Sequence, residues 1–351
     1  PYTDSLNASG VPISNPSMIE SGVSCLTIGD VDGLTIFSRT GHTIRHAEIK
    51  LNSTVNDMVI RNLKFDDVWD WDDKRSSGYG NSGALGTAKR TGWTYLKING
   101  ANNVWVDHCT FGISFDGNID LENGSSGVSI TWCDFGNVDY SKGSMLYKTI
   151  AYMETLYQQN KTNSEIGSFI IYSVMRDNGM SLEDISKYMG YHKKAHLCGA
   201  GDKDTWLYKE NGKVLEDREK TDANELIRLT FAYNNWTNMG SRIPMVRGGV
   251  AHLFNCFTDD TKMCEAGDII NSDPLKTGKT INKQVGEKGG AIHLLTRGMD
   301  ARNGASVAAD TNVYCNVSGP MIGDEKNEFS DETFKDLFPY NHALIVNSKV
   351  K

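Results

Sequence analysis

A short alternation of apolar and polar residues recurs along the chain. In six stretches an apolar residue precedes an aromatic residue by the same offset of seven positions. One such strand cannot bury its own apolar face, whereas stacked copies bury a continuous core. The repeat therefore predicts a parallel β-solenoid whose aromatic side chains occupy matching places on successive coils. The pairs are Met58/Phe65, Val104/Phe111, Val128/Phe135, Leu229/Trp236, Val250/Phe257 and Val307/Tyr314.

The alternation is interrupted over residues 141–191, where the apolar period changes from 2 to about 3.6. Ser181 and Asp184 have the spacing of a capping box at a helix start. The pattern predicts a helical insertion within one domain that spans residues 1–351. Strands are expected to return at Leu226 and to continue to the end of the chain. The C-terminal segment LFPYNHALIV is expected to cover the open edge of the last coil.

Composition narrows the class of protein. Charged residues make up 23% and hydrophobic residues 39% of the chain, which is typical of a globular protein rather than a disordered one. The net charge of -8 argues against a general nucleic-acid binder. No apolar run reaches the length that crosses a membrane. A local basic strip is still compatible with an anionic ligand.

Seven cysteines cannot all pair within one chain. Cys109 and Cys133 each stand two positions before the aromatic residue of their repeat, and Asn234 and Asn255 have the same spacing further on. This spacing predicts an inward turn position at which similar side chains stack. Buried thiols are the favoured interpretation, and a disulfide between Cys109 and Cys133 is the alternative.

The first chemically informative motif is DGNID. Asp116 and Asp120 flank a bend that contains Gly117. Carboxylate oxygens at a bend are ligands that calcium prefers. The alternative is an ordinary solvated turn with surface acids.

Two basic motifs follow. HKKAHLCGAGD contains Lys193, Lys194 and His196, and taken alone it indicates a basic surface patch. SRIPMVRGG places Arg242 and Arg247 five positions apart across a proline. A bend there would let both guanidinium groups point the same way, which suits a ligand that carries carboxylates. The alternative is two exposed charges.

The three motifs in this order resemble the pectate lyases of polysaccharide lyase family 1. The resemblance covers residues of about 55–135 and 192–320, and the helical insertion lies outside it. It implies a right-handed parallel β-helix that cleaves polygalacturonate by calcium-assisted β-elimination. It also implies a secreted protein, extracellular or periplasmic, and we expect a monomer without nucleic-acid or membrane partners. The chain begins at Pro1 and contains no signal peptide pattern.

The resemblance also assigns roles to residues. Asp116 and Asp120 match the calcium-binding acids, and Arg242 matches the base that removes the C5 proton. Lys194 and Arg247 match residues that hold the substrate's carboxylates and sugar oxygens. No water attacks in an elimination, so the acid pair of a hydrolase is not required. An arginine base is costly because free arginine stays protonated, and we expect cationic neighbours and an alkaline working pH to help.

The chain departs from the family pattern at one place. Gly92 and Thr94 stand where further calcium-binding acids are expected. Either the acidic loop supplies a substitute, or calcium binds only together with a substrate carboxylate. The candidate acids in the loop are Asp66, Asp67, Asp70, Asp72 and Asp73.

Two other functions stay open at this point. One is a pectin lyase, which acts on methyl-esterified chains without calcium, and Trp69, Trp71 and Trp93 are compatible with its aromatic cleft. The other is a carbohydrate-binding β-helix without turnover. We further expect the insertion over 141–191 to form a wall or lid beside the cleft, with a decorative surface segment as the alternative.

Overall fold

The structure is a computed structural model. The described residues are 25–68, 94–114, 116–160, 170–191, 194–199, 209–210, 213–214, 227–288, 290, 292, 296–302, 305–323 and 342–351.

Three parallel sheets of eight strands each form the body of the molecule, and each coil contributes one strand to each sheet. The first sheet contains β1 (Cys25–Ile28), β4 (Glu48–Leu51), β7 (Leu96–Asn99), β10 (Ile119–Glu122), β13 (Leu197–Cys198), β18 (Met245–Arg247), β21 (Arg297–Arg302) and β24 (Gly319–Gly323). The second contains β2 (Val31–Phe37), β5 (Val55–Arg61), β8 (Asn102–Asp107), β11 (Val128–Thr131), β16 (Arg228–Ala232), β19 (Val250–Phe254), β22 (Ser306–Asp310) and β25 (His342–Val346). The third contains β3 (Thr43–Arg45), β6 (Lys64–Asp66), β9 (Thr110–Phe111), β12 (Asp134–Phe135), β17 (Asn235–Thr237), β20 (Phe257–Asp259), β23 (Val313–Cys315) and β26 (Lys349–Val350). A small hairpin joins β14 (Lys209–Glu210) to β15 (Lys213–Val214). The predicted right-handed parallel β-helix is confirmed.

The repeated aromatic residues form a stack inside the helix. The ring centroids of Phe65 and Phe111 lie 4.9 Å apart, and those of Phe111 and Phe135 lie 4.8 Å apart. In both pairs the rings are nearly parallel. Trp236 continues the stack at 5.5 Å from Phe135. Each such pair contributes about 0.5–1.5 kcal/mol beyond the burial of apolar area. The stack therefore fixes how one coil sits on the next.

One member of the predicted series is wrong. Thr258, not Phe257, pairs in register with Trp236, and Phe257 is 40% exposed. The apolar position seven residues earlier is Ala251, which is 1% exposed, whereas Val250 is 49% exposed. This coil buries the small Ala251 and Thr258 at the repeat positions. The larger residues Val250 and Phe257, each one position earlier, therefore matched the sequence pattern although they are exposed.

The cysteine interpretation holds for the thiols. Cys109 and Cys133 are buried, and all seven cysteines are free, so the alternative disulfide is wrong. Asn234 shares their position, since its side-chain oxygen accepts a hydrogen bond from the Cys133 amide at 2.8 Å. In the next coil the position belongs to the buried Cys256 rather than to Asn255, for the same one-residue reason.

In the part of the chain that the structure describes, five helices lie outside the coils. They are α1 (Met145–Asn160), α2 (Ile170–Asp177), α3 (Leu182–Gly190), α4 (Thr261–Ile270) and α5 (Ile281–Glu287). The capping box of Ser181 and Asp184 opens α3 as predicted. Apolar residues of all three insertion helices share a second core with Ile270, Ile281 and Val285. No helix in the described part of the chain is long and apolar enough to cross a membrane.

One expectation for the C-terminal half is wrong. The sequence predicted strands throughout, but α4 and α5 occupy the connection between β20 and β21. Of the segment LFPYNHALIV, residues 342–346 form the strand β25, which pairs with β22, and residues 337–341 lie outside the described residues, so the cap stays a prediction. The side chains of Leu344, Ile345 and Val346 are exposed. The division into one domain with an insertion over 141–191 stays a prediction.

Candidate active site

Three successive coils bring the chemically informative motifs together just before their strands in the first sheet. The Asn118 amide donates to the Ala195 carbonyl at 2.6 Å. Ala195 and His196 in turn donate to the carbonyls of Ser241 and Arg242 at 2.9 and 2.8 Å. These backbone bonds place residues far apart in sequence side by side.

Asp116 is the centre of the charged cluster. Its Oδ1 accepts a hydrogen bond from Lys194 Nζ at 2.9 Å and lies 3.9 Å from Nη1 of Arg242. The side chains of Lys194 and Arg242 are only 8% and 14% exposed. Water screens such a cluster poorly, so its charges act strongly on a bound anion.

Asp120 is buried and held at both oxygens. Oδ2 accepts from the Thr94 hydroxyl at 3.0 Å, and Oδ1 accepts from the Leu197 amide at 3.0 Å. Burial, and then the negative charge of Asp116, raise the pKa of Asp120 to about 7. Two carboxylates thus face each other in a place where their negative charge is costly.

Lys194 is also perturbed by its surroundings. Burial lowers its pKa to about 8, although the carboxylate of Asp116 acts in the opposite direction. His196, which the sequence placed in a surface patch, is fully buried and accepts a hydrogen bond from Nε1 of Trp236 at 2.9 Å. The basic surface patch is therefore wrong for both residues. His196 belongs to the core that supports the site.

Arg247 lies further along β18 than the cluster around Asp116. Its Nη1 donates to the Gly199 carbonyl at 3.0 Å. In the sheet it pairs in register with Arg302, which binds Asp300 at 2.9 Å. Arg247 and Arg302 thus form a second group of cations, separate from the cluster of Lys194 and Arg242 around Asp116.

Sequence reasoning missed two charged residues of the site. Lys97 pairs in register with Asp120 on the neighbouring strand. Its Nζ lies 3.1 Å from Oε2 of Glu48, which also accepts from the Thr94 amide at 3.1 Å. Glu48 is buried and thus ties Lys97 and Thr94 together. The only sequence signal was the outward position of Lys97 in the strand TYLKIN.

The donor set around Asp116 and Asp120 limits what kind of metal site is possible. Among the residues that the structure describes, no three His, Cys, Asp or Glu side chains are grouped for metal binding. Asp67 binds Arg45 at 3.1 Å, and Asp66 lies beside it in the same environment. The remaining loop candidates, Asp70, Asp72 and Asp73, lie outside the described residues, as do Gly92 and Trp69, Trp71 and Trp93.

The carboxylate of Asp120, whose pKa is raised by burial and by the charge of Asp116, fits a hard divalent cation shared with Asp116, because such an ion would offset the repulsion between the two. Two carboxylates alone fall short of the six to eight oxygens that calcium takes. The residues present therefore fit a calcium ion whose remaining ligands come from elsewhere.

Comparison with known proteins adds independent information. No protein-family model matches the chain. Pectate lyase B of Paenibacillus amylolyticus is 30% identical over 322 residues, which cover 91% of this chain and 71% of that protein. A pectate trisaccharide-lyase of Thermotoga maritima is 23% identical over 200 residues, 57% of this chain and 33% of that protein.

A solved structure is similar over nearly the whole chain. The pectate lyase of Paenibacillus sp. 0602 superposes with a TM-score of 0.71 and 28% identity, and the match covers 95% of this chain and 65% of that one. This chain is thus shorter than the relatives that it matches.

Proposed function

The chain belongs to the pectate lyase family, and from that premise we propose that it cleaves polygalacturonate by β-elimination. The observation that carries the proposal is the convergence of the largely buried side chains of Lys194 and Arg242 on Asp116. Each sugar of the polymer carries a carboxylate, and the reaction removes the C5 proton next to it. Buried cations at this position would bind that carboxylate.

In the proposed mechanism Arg242 removes the C5 proton. The His196 amide donates a hydrogen bond to the Arg242 carbonyl. This bond fixes the backbone that carries the guanidinium group. Loss of the proton leaves an enolate-like charge on the substrate carboxylate. Lys194 would stabilise this developing charge, since its ammonium group is buried close by. The glycosidic oxygen then leaves from the adjacent carbon.

Arg247 has a different proposed role. It lies on β18 beyond the cluster and next to Arg302. A polymer with one carboxylate per sugar needs cations at more than one position along the cleft. We assign Arg247 to the binding of a neighbouring sugar's carboxylate, for which a planar guanidinium is suited.

Calcium is part of the proposal, held by Asp116 and Asp120. When bound there, it would neutralise the substrate carboxylate and so make the C5 proton more acidic. The missing ligands would come from the substrate itself, which agrees with the small number of protein carboxylates. The carboxylate of Asp116 would then contact both the ion and Lys194. We further propose that the protein acts outside the cell, where its polymeric substrate is found.

A direct assay tests the function. The protein is incubated with polygalacturonate, and the unsaturated product is followed by its ultraviolet absorbance, with added calcium and with a chelator. We expect product only with calcium. Arg242→Lys should lower kcat by at least about 100-fold with KM nearly unchanged, because it keeps the charge but loses the guanidinium geometry.

The matched control is Arg228→Lys on the exposed face of β16, which should retain full activity. Full activity of Arg242→Lys would show that another group is the base. Product from methyl-esterified pectin in chelator would instead identify a pectin lyase, and no product from either polymer would favour a binding protein.

A further inference from the structure

A cavity lies away from the candidate active site. It has a volume of about 600 Å³ and lies between the third sheet, α3 and α4. None of the five candidate site residues lines it. Its size is within the range of pockets that hold small ligands.

One wall of the cavity is aromatic. Tyr140 is exposed there, and its ring is packed against the backbone of Gly190 so closely that an added Cβ would lie 2.5 Å from it. The hydroxyl edge of the ring lies against Gly190, and burial of this edge, together with the neighbouring Tyr191, raises the pKa of Tyr140, so its hydroxyl stays protonated. The ring is thus held in one orientation and offers a flat apolar surface.

The wall formed by the third sheet is polar. Asn137, Thr237 and Asn238 contribute amide and hydroxyl groups at the ends of its strands. The Asn238 side-chain oxygen accepts from the Met263 amide at 3.0 Å, and the Thr237 hydroxyl accepts from the Asn235 side chain at 3.3 Å. Ile269 of α4, which is 47% exposed, adds an apolar rim. An aromatic face beside amides and hydroxyls matches a sugar ring, which has apolar C–H faces and a rim of hydroxyl groups.

The charged residues of the cavity already have partners. Lys262 binds Glu265 at 2.7 Å, and Lys187 binds Glu183 at 2.8 Å. Asp184 accepts hydrogen bonds from Ser181 in the capping box of α3.

Asp134, the remaining charged residue of the lining, accepts from the Asn235 amide at 2.8 Å. The lining therefore contains three carboxylates and two ammonium groups. The lining thus carries one more negative than positive charge, which weakens the attraction for an anion. This charge balance favours an uncharged ligand over a galacturonate chain.

We propose that this cavity binds a neutral oligosaccharide, separately from the candidate active site. Tyr140 stacks on one sugar ring, and the amides of Asn137 and Asn238 with the hydroxyl of Thr237 bind its hydroxyl groups. Such a site would anchor the protein to uncharged polysaccharide while the charged chain is bound elsewhere. The proposal does not depend on lyase activity, because the two sites share no residue.

Calorimetric titration with uncharged tetrasaccharides of glucose, galactose and arabinose tests the proposal, with tetragalacturonate as the charged comparison, all in chelator. At least one neutral probe should bind with a Kd below about 1 mM. Tyr140→Ala and Ile269→Lys should each weaken that binding at least tenfold. Leu275→Lys is the matched control, since Leu275 is 53% exposed and does not line the cavity.

Ile269→Lys decides the outcome if Tyr140→Ala fails to fold, because Ile269 is a rim residue. Absence of binding by all three neutral probes would overturn the proposal and leave the cavity to a different occupant, such as a peptide. Binding that neither substitution weakens would place the sugar elsewhere and overturn it equally.

Discussion

Substitution of Gly117 by alanine should move the carboxylate of Asp120 without changing its charge. A Cβ at residue 117 would lie 2.4 Å from Oδ1 of Asp120 and 3.1 Å from the Ala195 carbonyl oxygen. Ordinary contacts begin at 3.4 Å, so the carboxylate has to shift by about 1 Å. The charge of every site residue is unchanged by this substitution.

The shift cannot be absorbed by rotation of the carboxylate alone. Both oxygens of Asp120 are held, by the Leu197 amide and by the Thr94 hydroxyl. Loss of either bond would cost about 1–3 kcal/mol of stability, because the group is buried. A misplacement of about 1 Å in a catalytic site can lower the rate by about 100-fold. We therefore expect Gly117→Ala to reduce kcat on polygalacturonate by that factor and to raise the half-saturating calcium concentration.

Gly286→Ala is the matched control. Residue 286 lies in α5, and an added Cβ there would have no atom within 4 Å. Alanine in a helix should stabilise the protein by about 0.5–1 kcal/mol and leave activity unchanged. If Gly117→Ala were as active as the wild type at every calcium concentration, Asp120 would not belong to the working site.

Three further predictions follow from single features. Asp120→Asn keeps the shape and one acceptor oxygen, which the Leu197 amide can still use, but loses the charge, so the half-saturating calcium concentration should rise at least about tenfold; an unchanged calcium titration would remove Asp120 from the metal role. Burial raises the pKa of Asp260 to about 7, so the native state keeps a proton that the unfolded chain releases above about pH 4. Asp260→Asn should therefore stabilise the protein at pH 8 by at most about 4 kcal/mol, seen as a higher Tm, and the gain should fall below about 1 kcal/mol at pH 4, whereas a pH-independent gain would contradict this. Replacement of residues 141–191 by a short linker should broaden the lengths of the products if the insertion is a wall; because this change also removes most of the second core, thermal unfolding must confirm that the coils stay folded.

The fold was predictable from the sequence because its repeat is local. Each coil repeats an alternation over a few residues, and five of the six aromatic positions follow it. The register failed at Phe257, where small residues are buried and larger neighbours are exposed. The helices α4 and α5 were missed because the sequence between β20 and β21 is mostly polar and exposed, so it lacks a clear apolar stripe.

The candidate site was predictable only where the residues stand in recognisable motifs. Asp116 and Lys194 meet as the motif order implied. Glu48 was invisible, because its contact with the Thr94 amide joins residues 46 positions apart without any shared pattern. Contacts of this kind depend on how coils stack, which the sequence of one coil does not contain.

Charge balance explains how the site differs from one built for tight metal binding. The described part of the cluster contains three carboxylates, Asp116, Asp120 and Glu48, and three cations, Lys97, Lys194 and Arg242. An ion that enters must compete with Lys194 for Asp116 and is repelled by Lys97 beside Asp120. A substrate that brings its own carboxylates would shift this balance toward the ion. We therefore expect calcium and polygalacturonate to bind cooperatively in this chain, with each weak in the absence of the other.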